Sequence, residues 1–405
     1  FTDENVHSSW LNYLGKINES ISKYDNVLFS FLTWEDYWSF VEHSSALSSL
    51  QDRIAFAEQS GFRDYLETKY SLEELSEKYG YEISSWDQLA IPERNKEAFE
   101  LLFEYYDYLL IEKIFIPAQT KLANLSMEVR VDSDPITNRE GQTNWYSHRE
   151  TYELPNAEYT TTYYGVPMGA ENNHNFDTSG NTLERMDYMY NEIKSNSGEN
   201  KLFIDQFLYY DNTPGLEHNT KVAPEELNDF IVKSSEILKK YTQGYGVWAY
   251  KDYAANALYN SAFEAGLKGW KVEGAAEVIQ DNRDQMMQLM KGSKLVQEVP
   301  LSRGFYHNQT TSLKIEFNAK TKNQTSELVV SVGGHQSIHS INNKFEKYTF
   351  EIPISEIKDY TLSFETKTED VIIDDIKMYS FVYENKIYGL DGAPGTALES
   401  IRELN

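Results

Sequence analysis

Residues 34–38 read Trp-Glu-Asp-Tyr-Trp and set two carboxylates, Glu35 and Asp36, among indoles and a phenol just after the apolar run Val27, Leu28, Phe29 and Phe31. Paired carboxylates can cleave a glycosidic bond: one protonates the departing oxygen while the other attacks or stabilises the anomeric carbon. An indole beside such an acid excludes water, which raises its pKa, and offers a flat face for the C–H groups of a pyranose. Trp34 beside Glu35 supplies both. Three further clusters combine acids, amides and aromatics: Glu128, Arg130, Asp132 and Asp134; Asp205 and Gln206 with Tyr209 and Tyr210; and Trp248, Tyr250, Lys251 and Asp252.

Each cluster closes a stretch that reads as a strand. The pattern predicts strands over 27–32, 125–131, 159–168, 201–210 and 244–253, the first three carrying Phe29, Glu128 and Tyr164. Helical spacing precedes the first strand over 1–25 and fills 34–121, punctuated by Pro92 and Pro117. A further helix over 224–243 is expected to end on Gly244 as its C-terminal cap. Alternating strand and helix argue for a parallel sheet with right-handed crossovers. If that sheet closes into a barrel, the carboxyl ends of its strands form the working face. Val27, Leu28, Phe29 and Phe31 would then lie in the barrel wall, and the polar clusters would emerge at its rim. After Leu258 the pattern becomes short alternating strands such as "SLKIEFNAK" and "SELVVSVGG", the spacing of an antiparallel β-sandwich. The expected division is 1–258 for the barrel part, 259–380 for the sandwich and 381–405 for a linker or the start of a further segment.

The totals narrow the partner. A formal net charge of -27 repels nucleic acid and anionic lipid and suits a neutral ligand. The 30 tyrosines and 7 tryptophans favour sugar faces. With no cysteine the chain has no disulfide, thiol nucleophile or cysteine-bound zinc. No stretch approaches the ~20 apolar residues a membrane span needs, so no membrane insertion is expected within this chain. No cofactor is expected beyond a structural Ca²⁺ held in the sandwich through Asp374 and Asp375.

Taken together, these features resemble a known family. The strand ending in Glu35, the long helical insertion, "SMEVRVDSD", the strand reaching Gln206 and the last strand "GYGVWAY" look like strands four to eight of a clan A glycoside hydrolase, a (β/α)8 TIM barrel. The insertion 62–92, "FRDYLETKYSLEELSEKYGYEISSWDQLAIP", is similar to a segment of family 42 and its β-galactosidase relatives, and 260–380 looks like a carbohydrate-binding jelly roll. The resemblance implies a retaining hydrolase of β-linked glycans, exported or held at the cell surface. It makes Glu35 the acid/base, Gln206 or Asp205 the nucleophile and Trp248 the floor of the sugar subsite. Trp34, Glu128, Arg130, Tyr164, Tyr209 and Tyr250 would contact substrate. Trp34 stands where the clan usually has Asn, and Gln206 where it has the nucleophilic Glu. A neutral amide cannot attack an anomeric carbon. Three readings follow: Gln206 replaces a natural glutamate, Asp205 is the nucleophile, or the protein is a catalytically silent polysaccharide binder. Five strands cannot close an eight-stranded barrel, so a further polypeptide segment is expected to complete it.

Plainer roles stand beside these. Glu35 would equally cap the following helix; Glu128, Arg130 and Asp132 would form an ion-pair ladder; Tyr209, Tyr210 and Tyr250 would pack the rim. Trp86 and Tyr105, Tyr106 and Tyr108 read as helix packing, Trp270 as sandwich core, and His148 and His174 as solvated loop residues.

Overall fold

Asp3 opens the first helix by accepting from the backbone N–H groups of Asn5 and Val6, so α1 spans Glu4–Ile21 and turns Leu14 into a core with Leu125 and Met127. The protein is seen as a computed structural model that describes residues 3–32, 44, 46–93, 97–129, 135–137, 143–145, 149–168, 170, 176–213, 216, 219–281, 284–301, 312–356 and 358–404. The chain forms two compact units. One comprises Phe1–Tyr210, His218–Tyr250 and Ala397–Asn405, and the other Asp211–Glu217 and Lys251–Thr396. Among the described residues no helix is long and apolar enough to cross a membrane.

The first unit is built on parallel strands. β1 (Ser30–Phe31) pairs with β2 (Leu125–Ser126), which continues past Met127 into β3 (Glu128–Val129). A two-stranded ribbon of β4 (Pro135–Thr137) and β5 (Thr143–Trp145) intervenes in the chain. β3 then pairs with β6 (Tyr159–Gly165), β6 with β8 (Lys201–Leu208) and β8 with β10 (Thr242–Val247), all parallel. Between them, β7 (Phe176–Asp177) and β9 (Lys221–Val222) make a short side pair. Each main strand therefore lies beside its predecessor in the chain and runs in the same direction.

The crossovers are helical. Between β1 and β2 come α2 (Leu50–Gln59), α3 (Phe62–Lys69), α4 (Leu72–Tyr79), α5 (Glu100–Tyr108), a π-helical stretch over Leu109–Phe115, and α6 (Ile116–Gln119). Ser71 and Glu74 form a capping box on α4, and Gly80 ends it with φ 63°. Trp86, Tyr105 and Tyr108 pack in or against the core of this insertion. α7 (Ser179–Asn196) precedes β8, α8 (Leu227–Tyr241) precedes β10, and α9 (Leu398–Arg402) packs on α8, where the Ser400 hydroxyl donates to Asn228.

Within the insertion, Glu104 accepts from the Tyr65 and Tyr70 hydroxyls and from the Lys69 ammonium, all at 2.7 Å. Burial pushes its carboxyl up, but donation from Lys69, Tyr70 and Tyr65 outweighs this and holds it below the ordinary carboxylate range. A depressed folded-state pKa stabilises above the unfolded-state value and is lost as pH falls through the folded value. Glu104→Gln is expected to cost about 2 kcal/mol at neutral pH. The gap from the parent should narrow below about pH 4. Urea titrations at about pH 7 and about pH 3.5 check this, and equal stability at neutral pH would count against it.

Two differences from the sequence pattern concern the sheet. The first strand is short, and Val27, Leu28 and Phe31 are exposed rather than buried in a wall. The reason is that β1 belongs to a two-stranded pair, with β2 as its one described neighbour. Gly244 is not a helix cap. α8 ends on Thr242, whose backbone is already extended, and Gly244 lies inside β10, where a Cβ would come within 2.8 Å of the Phe203 ring.

The second unit contains a β-sandwich. β11 (Tyr253–Ala254) pairs with β22 (Val382–Tyr383) beside it. One sheet runs β12 (Lys271–Glu273), β15 (Lys294–Val299), β20 (Tyr360–Thr366), β17 (Ser326–Val332) and β18 (His335–Ile341). The other runs β13 (Ala276–Asp281), β14 (Asp284–Leu289), β21 (Val371–Tyr379), β16 (Ser312–Thr321) and β19 (Glu346–Pro353), and all pairings are antiparallel. Alternate residues of both sheets, including Leu295, Phe317, Val330, Phe364 and Ile373, form one core with Phe263 and Trp270. Burial pushes the Glu316 carboxyl up, yet Lys347, Lys314 and the Tyr379 hydroxyl at 2.7, 3.0 and 2.9 Å bring it down to about 2.

Candidate functional site

Register decides which side chains share a face of the parallel sheet. Glu128, Thr161, Phe203 and Gly244 stand opposite one another across β3, β6, β8 and β10. Thr162, Ile204 and Tyr245 form the next row and point to the other face. On the helix side, Tyr164 stacks on Phe207 and Phe230 and meets Tyr190 edge-on, with centroids 5.6, 6.4 and 6.0 Å away. The first row therefore faces away from α7 and α8. There the Phe29 ring stacks on Tyr159 at 4.7 Å and meets Phe203 edge-on at 5.3 Å.

A bulge in β8 shapes the polar end of this face. Ile204 pairs with Thr162 and Gln206 with Tyr163, so Asp205 is an extra residue in the ladder. On the opposite flank only Gly246 stands against Asp205 and Gln206, and a Cβ there would lie 2.7 Å from the Asp205 carbonyl oxygen. Ile204 and Phe207 both face the helices, which leaves two consecutive residues between them where strict alternation allows one. Gln206 consequently shares the Tyr163 face, with 5% of its surface exposed. Glu128 is equally buried on that face, at 2%. Both are engaged by neighbours, as buried polar groups must be. β10 ends at Val247, and the next residue is half-buried Trp248, whose backbone N–H donates to the Phe207 carbonyl at 3.3 Å; the Trp248–Ala249 peptide is cis.

The expected site residues thus divide. Asp205 and Gln206 lie in the carboxyl half of β8, Glu128 lies two strands away in the row of Phe203, the third residue of β8, and Trp248 follows the neighbouring strand. Tyr250 is exposed. Trp34, Glu35 and Arg130 lie outside the described residues, as do His148 and His174. Tyr164 is corrected: it is 1% exposed within the aromatic layer between sheet and helices, so its ring cannot meet a ligand from solvent. Tyr209, also 1% exposed, packs against Phe207. The sequence pattern did not single out Tyr163, which stands opposite Gln206 and lies over Gly165, where a Cβ would meet its hydroxyl at 2.6 Å. The signal was the parity of Gly165, small on the face where the Tyr163 ring leans.

The Tyr164 hydroxyl is buried without a hydrogen-bond partner, and burial pushes its pKa far up. Tyr164→Phe removes an unsatisfied group and keeps the ring. It is expected to leave stability unchanged or raise it by about 1 kcal/mol, with no loss of glycan affinity. Thermal unfolding and affinity electrophoresis on polysaccharide gels read the two effects; weaker glycan binding would return Tyr164 to the site.

In the sandwich, Asp374 and Asp375 are neighbours within β21. Asp375, at φ 48°, accepts from Lys377 at 3.2 Å, while burial and then the charges of Asp375, Asp284 and Glu264 raise the Asp374 pKa. Among the described residues no group of three or more histidine, aspartate or glutamate side chains has the arrangement of a metal site.

No family model matches the chain, and no curated protein matches it. Solved structures similar to part of it include carbohydrate-binding modules with β-sandwich folds. A family 61 module solved with β-1,4-galactotriose is 20% identical, with TM-score 0.26, over 32% of this chain and all of that one. A xylan-binding family 22 module from Paenibacillus barcinonensis is 14% identical, with TM-score 0.25, over 31% of this chain and 94% of that one. The joined family 22 and family 10 modules of a Clostridium thermocellum xylanase, solved with xylohexaose, are 17% identical, with TM-score 0.25, over 34% of this chain and 30% of that one.

Proposed function

We propose that this chain is part of a retaining glycoside hydrolase acting on β-linked, neutral or weakly charged glycans, with its sandwich serving as a glycan-binding module and the whole exported or surface-held. The observation that carries the reading is strand order. β3, β6, β8 and β10 form a four-stranded sheet in chain order, and β1 pairs in the same sense with β2, which leads through Met127 into β3; this one-way order is the winding a (β/α)8 barrel requires, whereas a doubly wound sheet reverses its order partway. On this reading they are strands four to eight. A further polypeptide segment completes the barrel beside β1, where the exposed Phe31 and the Val27 and Leu28 that precede the strand suit burial against another strand.

The face turned away from the helices then becomes the barrel interior, the carboxyl ends of β8 and β10 bring Asp205, Gln206 and Trp248 to the working rim, and Glu128 stands below them in the row of Phe203. Glu35 protonates the leaving oxygen. A carboxylate at position 206, or Asp205, attacks the anomeric carbon to form the glycosyl-enzyme, which water releases with Glu35 now acting as base. Trp34 and Trp248 hold the sugar, and the family 42 likeness of 62–92 suggests a galactoside.

Gln206 itself favours a second reading, a polysaccharide-binding protein whose barrel has lost its chemistry. Gln206→Glu and the parent chain, each assembled with the segment that completes the barrel, assayed on a panel of aryl β-glycosides and by affinity electrophoresis in galactan and xylan gels, separate the two. Hydrolysis by the variant supports the enzyme; binding by both with turnover by neither supports the binder.

A further inference from the structure

A hollow of about 410 Å³ opens in the first unit at the start of β2, lined by Ile116, Gln119, Thr120, Leu122, Ala123, Asn124, Leu125 and Asn156. It lies at the amino end of the sheet, because Leu125 is the first residue of the strand that leads on to Glu128. Its size falls within the range of small-molecule sites, roughly 300–1,000 Å³. No lining residue is charged, in a chain of net charge -27, so neither an anion nor a cation finds a counter-charge there.

What the lining offers is amides. Gln119 donates through Nε2 to the Pro155 carbonyl at 2.8 Å, which leaves its Oε1 as an acceptor. Asn124 and Asn156 are exposed, both hold left-handed backbone at φ 49° and 55°, and each side chain carries a donor and an acceptor on one plane. The backbone around Asn124 is anchored: its carbonyl accepts from the Ser30 N–H of β1 at 3.0 Å, and the Ala123 N–H donates to Asn18 at 3.3 Å. Ile116, 36% exposed, and the edges of Leu122 and Leu125 add apolar surface beside the amides.

We propose that this hollow is an ancillary binding site for a neutral pyranose, separate from the chemistry at Gln206. Vicinal hydroxyls offer a donor and an acceptor at the spacing a carboxamide presents, and the ring's C–H face covers the isoleucine. Charge-free amides recognise such a ligand without a desolvation penalty for an ion. The left-handed backbone at both asparagines, and at Asn124 the carbonyl bond to β1, fix where the two side chains leave the main chain, which lowers part of the ordering cost of binding. A glycan held here is anchored to the opposite end of the sheet from the carboxyl-end residues.

The test uses the full chain and three probes, galactose, glucose and glucuronate, by saturation-transfer NMR with titration. The neutral sugars are expected to bind at millimolar Kd and glucuronate at least about tenfold more weakly. Asn156→Gly removes an amide while tolerating the positive φ, and Thr120→Trp fills the hollow; each should weaken the neutral sugars about tenfold or more. Trp248→Ala reports on the carboxyl-end site, so its failure and this one are distinguishable: binding here should survive that change. Neutral-sugar affinity unchanged by both Asn156→Gly and Thr120→Trp, equal binding of glucuronate, or no saturation transfer from either neutral sugar would overturn the proposal.

Discussion

Gln206→Glu is expected to raise hydrolysis of an aryl β-galactoside by about 10³-fold or more over the parent chain assembled with its completing segment. The size follows from what an amide lacks. It neither attacks the anomeric carbon nor offsets the positive charge of an oxocarbenium-like transition state, whereas a carboxylate does both. Position 206 is 5% exposed, shares a face with Tyr163 and is set there by the bulge at Asp205. Burial among such neighbours excludes water and strengthens charge interactions. Asp205→Asn in the same background separates the two candidates. If Asp205 is the nucleophile, the parent chain already turns over and Asp205→Asn abolishes it; if position 206 is, only the Gln206→Glu protein accumulates a covalent adduct with a 2-fluoro glycoside. A Gln206→Glu protein that folds and binds glycan but neither hydrolyses nor forms the adduct would end the hydrolase reading at this position.

Phe207→Ala should be the most damaging single truncation in the parallel-sheet unit, at about 4 kcal/mol. Phe207 is fully buried and touches four aromatic rings: Tyr164, Tyr209, Phe230 and Tyr245, with centroids 5.6 to 6.5 Å away. Removing it opens a cavity between β8 and α8 that rigid rings cannot collapse to fill. Phe203→Ala makes the comparison, because Phe203 is half-buried on the opposite face and should cost about half as much. Urea unfolding followed by tyrosine fluorescence reads both, alongside far-UV circular dichroism to confirm the native sheet. A loss below about 1.5 kcal/mol for Phe207→Ala would mean that the helices do not pack on this face as described.

Much of this architecture was legible in the residues. The five main strands and the switch to a sandwich follow from apolar runs and alternation, since burial on two faces or one leaves different periods in a sequence. Trp270 reads as sandwich core and is core, where its ring lies 5.6 Å from Phe263 and its indole N–H donates to the Asn260 carbonyl. Gly244 shows the opposite case. Glycine after a helix is an ordinary stop signal, but here its missing side chain makes room for the Phe203 ring, a neighbour 41 residues away in sequence.

Local composition and period were enough to specify the strand-and-helix alternation, the all-β second half and the clustering of acids and aromatics after the strands. They were not enough to say which of two adjacent tyrosines meets the polar face and which is sealed against the helices; pairing between distant strands settled that. One extra residue in β8 reverses the alternation after Ile204, putting Gln206 with Tyr163 and Phe207 with Tyr164. A bulge depends on the partner strand's register, and no residue within β8 announces it.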